Sequence, residues 1–136
     1  MSDLIQKVKD AYAAFGRGDV ATILSMLAPD VSWELEAPAE VSIAGIRKGP
    51  EAVKGFFQAI ANDHADPKLE ITEYFSSADG VATFGRYKCT LKKTGKRLDS
   101  PVAHLFKFRG GKIVRFVDFT DTAAYVEASR TSAAGR

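Results

Sequence analysis

Only one cysteine, Cys89, occurs in the 136 residues, so an intrachain disulfide is impossible and a thiolate cage for a metal is excluded. A reducing compartment suits that count. Excess charge is lacking too: a formal net charge of +2 is too small to argue for nucleic acid. Lys88, Lys92, Lys93, Lys96 and Arg97 do gather, but around Thr94-Gly95, a hairpin tip without interleaved aromatic residues. They read as solvated charges. No apolar run approaches the roughly 18 residues of a spanning helix. The stretch up to residue 30 carries Lys7, Lys9, Asp10, Arg17 and Asp19 and has no apolar block of the signal-peptide kind. The expected setting is the cytoplasm, with neither nucleic acid nor membrane as a partner.

What is present suits one compact globular domain, 46% hydrophobic and 26% charged. That domain is expected over residues 1–125, with a small, polar tail at 126–136 that frays. Leu4, Ile5, Val8, Ala11, Tyr12 and Phe15 form one helical stripe over residues 3–15. Asp19 caps a second helix with Val20, Ile23, Leu24 and Leu27 on its buried edge, and Pro29 ends it. Val31, Trp33 and Leu35 alternate with polar residues as a half-buried strand. Residues 38–49 read as a loop, and Pro50 opens a third helix that buries Val53, Phe56, Phe57 and Ile60. Residues 62–68 are polar and turn-rich, and His64 among them reads as exposed and inert. Four strands follow at 69–77, 81–92, 97–109 and 112–120, punctuated by Asp79-Gly80, Thr94-Gly95 and Gly110-Gly111. Joined by tight turns, they make an antiparallel meander.

Two ionisable residues stand out in that meander. His104 shares a strand face with Phe106 and Phe108, and Asp118 shares one with Phe116. A carboxylate beside Phe106 and Phe116 is poorly solvated and therefore a good base for a C–H proton next to a carbonyl. A histidine beside it could donate a hydrogen bond to the developing enolate. The pairing register decides whether the two meet. If Gly110-Gly111 is a two-residue turn, His104 faces Val117 and Asp118 points to the other side of the sheet. If Arg109-Gly110-Gly111 is a three-residue loop with a bulge, His104 faces Phe116 and lies diagonal to Asp118 on one face.

Helix, Gly-Asp-capped helix, a strand with Trp33, the segment Gly49-Pro-Glu-Ala-Val-Lys-Gly-Phe-Phe57, and a meander ending in Gly-Gly-Lys-Ile-Val-Arg-Phe-Val-Asp118 resemble the NTF2-like superfamily. Within it the chain resembles the SnoaL-like group of polyketide cyclases and their relatives from about residue 4 to 123. The resemblance implies an α+β fold: a cone of three N-terminal helices on a strongly curved antiparallel sheet, with an apolar pocket. It also favours the bulged register. The cyclases of this group use an aspartate on the last strand as acid/base and a histidine on the preceding strand, which fall at Asp118 and His104. Trp33, Tyr12, Phe15, Phe56, Phe106 and Phe116 would then wall a pocket for a small apolar molecule, and Arg86 would orient Asp118 or a substrate oxygen. The chemistry needs no cofactor and no metal. Ketosteroid isomerases match less well. Their general base falls at Ala37, their oxyanion tyrosine falls near Ala11 beside Tyr12, and their protonated aspartic acid falls at His104. Limonene-type epoxide hydrolases match at Arg86 and Asp118, but Lys88 stands where their first aspartate belongs. A sheet whose outer face carries Val117 and Phe119 is expected to be covered by a second copy, giving a homodimer.

Overall fold

The computed structural model describes residues 3–131. Helix α1 (Asp3–Gly16) buries Val8 and Ala11 of the expected stripe, and Ala14 besides. Helix α2 (Val20–Ser25) is capped by Asp19, whose carboxylate accepts the Thr22 backbone N–H at 3.1 Å. It stops sooner than Pro29 would require. Leu27 belongs instead to strand β1 (Leu27–Leu35), where it lies beside Ile113, and the Ile113 N–H donates to the Met26 carbonyl at 2.9 Å. Sheet pairing outweighs the helical spacing of one leucine. The expected loop at 38–49 contains a short edge strand, β2 (Gly45–Lys48).

Helix α3 (Pro50–Asp63) starts at the proline, as expected, and buries Val53, Phe56, Phe57 and Ile60. Strand β3 (His64–Ser76) begins immediately after it, five residues before the expected start. Strands β4 (Gly80–Leu91), β5 (Arg97–Arg109) and β6 (Lys112–Thr120) complete the meander. The six strands form one open, curved sheet in the order β2-β1-β6-β5-β4-β3, with β1 parallel to β6 and every other pair antiparallel. A fourth helix, α4 (Thr122–Ser129), occupies the start of the tail that was expected to fray. Asp121 caps it by accepting the Ala124 N–H at 3.0 Å, and the Thr94 hydroxyl donates to the Ala128 carbonyl at 2.7 Å. Tyr125 and Ala128 are buried. Residues 132–136 of that tail lie outside the described residues. Among the described residues no helix is long and apolar enough to cross a membrane.

The cone's bend rests on bulges. Between β3 and β4 the pairing steps from Ile71↔Gly85 to Glu73↔Phe84, leaving Thr72 as the extra residue. A Cβ at Gly85 would collide with the Glu70 carbonyl oxygen and lie 2.7 Å from the Ile71 Cα. Backbone atoms cannot swing aside as a side chain can. Gly85→Ala is expected to lower unfolding free energy by about 2 kcal/mol, measurable by urea denaturation. An unchanged midpoint would contradict the close approach.

A second bulge decides the geometry of the site. Gly110 and Gly111 have φ of 60° and 81°, the left-handed pair of a two-residue hairpin turn, and Arg109 pairs with Lys112. The three-residue loop that the resemblance favoured is therefore not formed. The bulge comes later, at Val114: Phe108 pairs with Ile113, whereas Lys107 pairs with Arg115. That single extra residue turns Asp118 to the inner face and sets it directly opposite His104.

Candidate active site

Thr83 of β4, His104 of β5 and Asp118 of β6 are register partners, forming one rung across three strands on the inner face. Helix α1 lays Tyr12 over that rung. The Tyr12 hydroxyl lies 2.7 Å from the Thr83 Oγ1 and 2.8 Å from the His104 Nδ1. The other imidazole nitrogen, Nε2, faces the Asp118 Oδ1 at 3.6 Å, too long for a direct hydrogen bond. His104 is 5% exposed, and the Asp118 Oδ1 is buried without a hydrogen-bond partner. Such an orphaned carboxylate oxygen costs free energy in the resting protein.

The proton order of this chain follows from the charge at its end. An ionised Asp118 favours an Nε2–H pointing at it. Nδ1 is then the acceptor and takes the Tyr12 O–H, so the Tyr12 oxygen in turn accepts from Thr83. Burial pushes the Tyr12 hydroxyl far above its ordinary range, while the Thr83 hydrogen bond pulls the other way. Tyr12 therefore stays protonated and serves as a donor.

These groups face a cavity of about 70 Å³ between sheet and helices. Tyr12, Phe15, Trp33, Phe56, Phe106 and Phe116 all line it, together with His104 and Asp118. Trp33 stacks on Phe116 with ring centres 4.0 Å apart, a contact set by their pairing across β1 and β6. The Trp33 indole N–H is buried with no acceptor, a second unspent polar atom in the cavity wall.

Arg86 is not brought to the site. Strand β4 turns Thr83 and Tyr87 inward and Arg86 outward, where its guanidinium pairs with Asp99 at 2.9 Å on the exposed face. It cannot orient Asp118. Three polar groups absent from the sequence reading belong here instead: Tyr87, Thr120 and Tyr125 also line the cavity. His64, expected to be exposed, is 3% exposed. Its Nδ1 lies 2.7 Å from the Tyr87 hydroxyl and its Nε2 2.7 Å from the Tyr125 hydroxyl. Asp121, a good N-cap residue ahead of an Ala-rich segment, was the signal for α4 and hence for Tyr125. No local signal marks His64, whose partners lie 23 and 61 residues away. Among the described residues no three His, Cys, Asp or Glu side chains converge as a metal site.

The SnoaL-like domain family matches residues 8–116 of the chain. The protein belongs to the SnoaL-like family. An uncharacterised protein of Mycobacterium tuberculosis (strain ATCC 25618 / H37Rv) is 32% identical over 123 residues, covering 89% of this chain and 91% of its own. An NTF2-like protein of Burkholderia pseudomallei K96243 superposes with a TM-score of 0.89 at 27% identity, covering 96% of this chain and 100% of that one. TerC, co-crystallised with polyporic acid, superposes with a TM-score of 0.85 at 27% identity, over 94% of this chain and 98% of its own. These similarities make the SnoaL-like protein an NTF2-like cone by fold, while its chemistry has to be argued from the site.

Proposed function

We propose that this SnoaL-like protein is a cofactor-free acid/base enzyme of the cyclase or isomerase type, acting on a small apolar carbonyl compound in the cone, with Asp118 as the base. The observation that carries the proposal is Asp118 itself, a carboxylate that lines a cavity walled by Trp33, Phe106 and Phe116, with His104 beside it and one oxygen buried without a hydrogen-bond partner. Asp118 would take a C–H proton α to the carbonyl, and the C–H electron pair would move into the enolate. His104 Nε2–H would turn from Asp118 to the enolate oxygen, held in its tautomer by Tyr12 and Thr83. Protonated Asp118 then returns the proton. Delivered to another carbon, it completes a double-bond shift; delivered to the alkoxide of an intramolecular aldol addition, it completes a ring closure. The co-crystallisation of TerC with polyporic acid supports a small-molecule role for the same cone.

The reading can be tested without knowing the substrate. A protein that abstracts α-protons should catalyse hydrogen–deuterium exchange of 2-tetralone in D2O, followed by proton NMR. Exchange no faster than in buffer, with 2-tetralone shown to bind, would favour the second reading, a non-catalytic binding protein.

We also propose that the protein works in the cytoplasm as a homodimer through the sheet's outer face. Phe84 of β4 and Phe119 of β6 flank Ala103 there in register, and both are exposed, as is Phe75 packed on Phe84 at 5.9 Å. Val117, on the same face, is already covered within one subunit. Phe84→Arg with Phe119→Arg is expected to shift light-scattering mass from dimer to monomer at micromolar protein. A wild-type monomer at that concentration would end the idea.

A further inference from the structure

We propose that the Tyr87–His64–Tyr125 cluster is a second binding pole of the cavity, donating one tyrosine hydroxyl to a substrate oxygen, so that the site selects small cyclic compounds carrying oxygen at both ends. The inference rests on the cavity being a substrate site, as argued above, and adds the substrate's second functional group.

Proton counting carries it. Both ring nitrogens of His64 are occupied by tyrosine hydroxyls, each at 2.7 Å. Burial holds the His64 imidazole neutral at ordinary pH. A neutral imidazole has one N–H and one lone pair, so it can accept the proton of only one tyrosine. The other tyrosine accepts from His64 and keeps its own O–H to give elsewhere. Among the described residues no oxygen or nitrogen takes that proton. The Cys89 sulfur beside Tyr87 is a weak acceptor. Both tyrosines are deeply buried, at 8% and 2% exposure, and both face the cavity. Were the cluster a mere pin for α4, the free hydroxyl would be a wasted buried donor. Thr83 and Tyr87 lie four residues apart on one face of β4, roughly 13 Å along the strand. Two polar ends separated by aromatic walls therefore meet in one cavity. Asp118 and His104 meet the oxygen-bearing group at one end of the ligand, and the tyrosine donates to the oxygen at the other.

The probes are 2-naphthol, with one oxygen, and 2,6-dihydroxynaphthalene, with one at each end, titrated by ligand fluorescence. Wild type is expected to bind the diol about fivefold more tightly. Tyr125→Phe or Tyr87→Phe should erase most of that preference while 2-naphthol affinity, the control for an intact cavity, stays within about twofold. A preference unchanged in both variants, or absent from wild type, overturns the second pole and leaves the Asp118 end standing. Failure of both probes to bind wild type overturns the cavity reading and the pole with it. Should both variants misfold, the side-chain 15N shifts of wild-type His64, one of two histidines in the chain, decide. They should respond to the diol and not to 2-naphthol; equal or absent responses count against the pole.

Discussion

Asp118→Asn is expected to slow the protein-dependent exchange of 2-tetralone α-protons by between about 10²-fold and 10⁴-fold, the usual weight of a positioned general base. The asparagine amide keeps the side chain's shape but has no basic oxygen at neutral pH. No other side chain stands ready to replace it, because Asp118 is the one carboxylate among the residues lining the cavity. The variant should not be less stable. The wild-type Oδ1 is buried with no hydrogen-bond partner, so the asparagine gives up no hydrogen bond at that atom. Thermal unfolding at or above the wild-type midpoint, together with lost exchange, would be the signature of a site that gives up stability for reactivity. Exchange within about threefold of wild type would remove Asp118 from the chemistry.

The neighbours of Asp118 should weigh less, because they act on its partner. Tyr12 touches His104 and Thr83 but not Asp118 through any hydrogen bond. Losing its hydroxyl leaves the Nε2–H free to leave Nε2 for Nδ1, so the imidazole no longer presents a fixed donor to the carbonyl oxygen. This directional chain explains why an aliphatic interior carries Thr83 fully buried. Its hydroxyl supplies the donor that Tyr12 needs once its own proton is committed to His104.

Much of the scaffold was legible in the chain because strand alternation and helix stripes are local patterns. Trp33, Phe56, Phe106 and Phe116 could be assigned to the interior from parity and spacing, and Pro50 announced its helix. The His104–Asp118 juxtaposition was only half legible. The glycine pair does make the tight turn, which by itself would send Asp118 outward. What rescues the pairing is the bulge at Val114, which lies where β6 also pairs with β1, a strand some eighty residues earlier. Arg86 was misplaced because a family pattern was followed in preference to the strand's own alternation, in which Thr83 and Tyr87 share the face opposite to it. The second polar cluster was invisible for a different reason. His64 sits in a polar stretch that looks like a turn, and what covers it is Tyr125 on α4, a helix that had not been assigned and that runs on into the residues read as tail.

That buried histidine makes the fold acid-sensitive. Burial pushes His64 down to about 4, with a smaller opposing pull from Asp63, whereas the unfolded chain titrates near the ordinary value of about 6.5. Between those two values the unfolded state binds a proton that the native state refuses. Stability is therefore fully present above about pH 6.5 and falls as pH drops through the window, at up to about 1.4 kcal/mol per pH unit. The whole window is worth on the order of 3 kcal/mol. The exposed carboxylates held low by cationic partners, such as Asp30 beside Arg109 and Asp99 beside Arg86, lose their contribution at lower pH still. The two effects separate by mutation. Urea denaturation at pH 7 and at pH 4.5 should show a steep loss for wild type. His64→Phe should start less stable at pH 7, because two tyrosine hydroxyls lose their partner, and should then change little between the two pH values. Parallel loss in both proteins would mean that His64 titrates alike folded and unfolded, and that Tyr87 and Tyr125 do not hold a neutral imidazole between them.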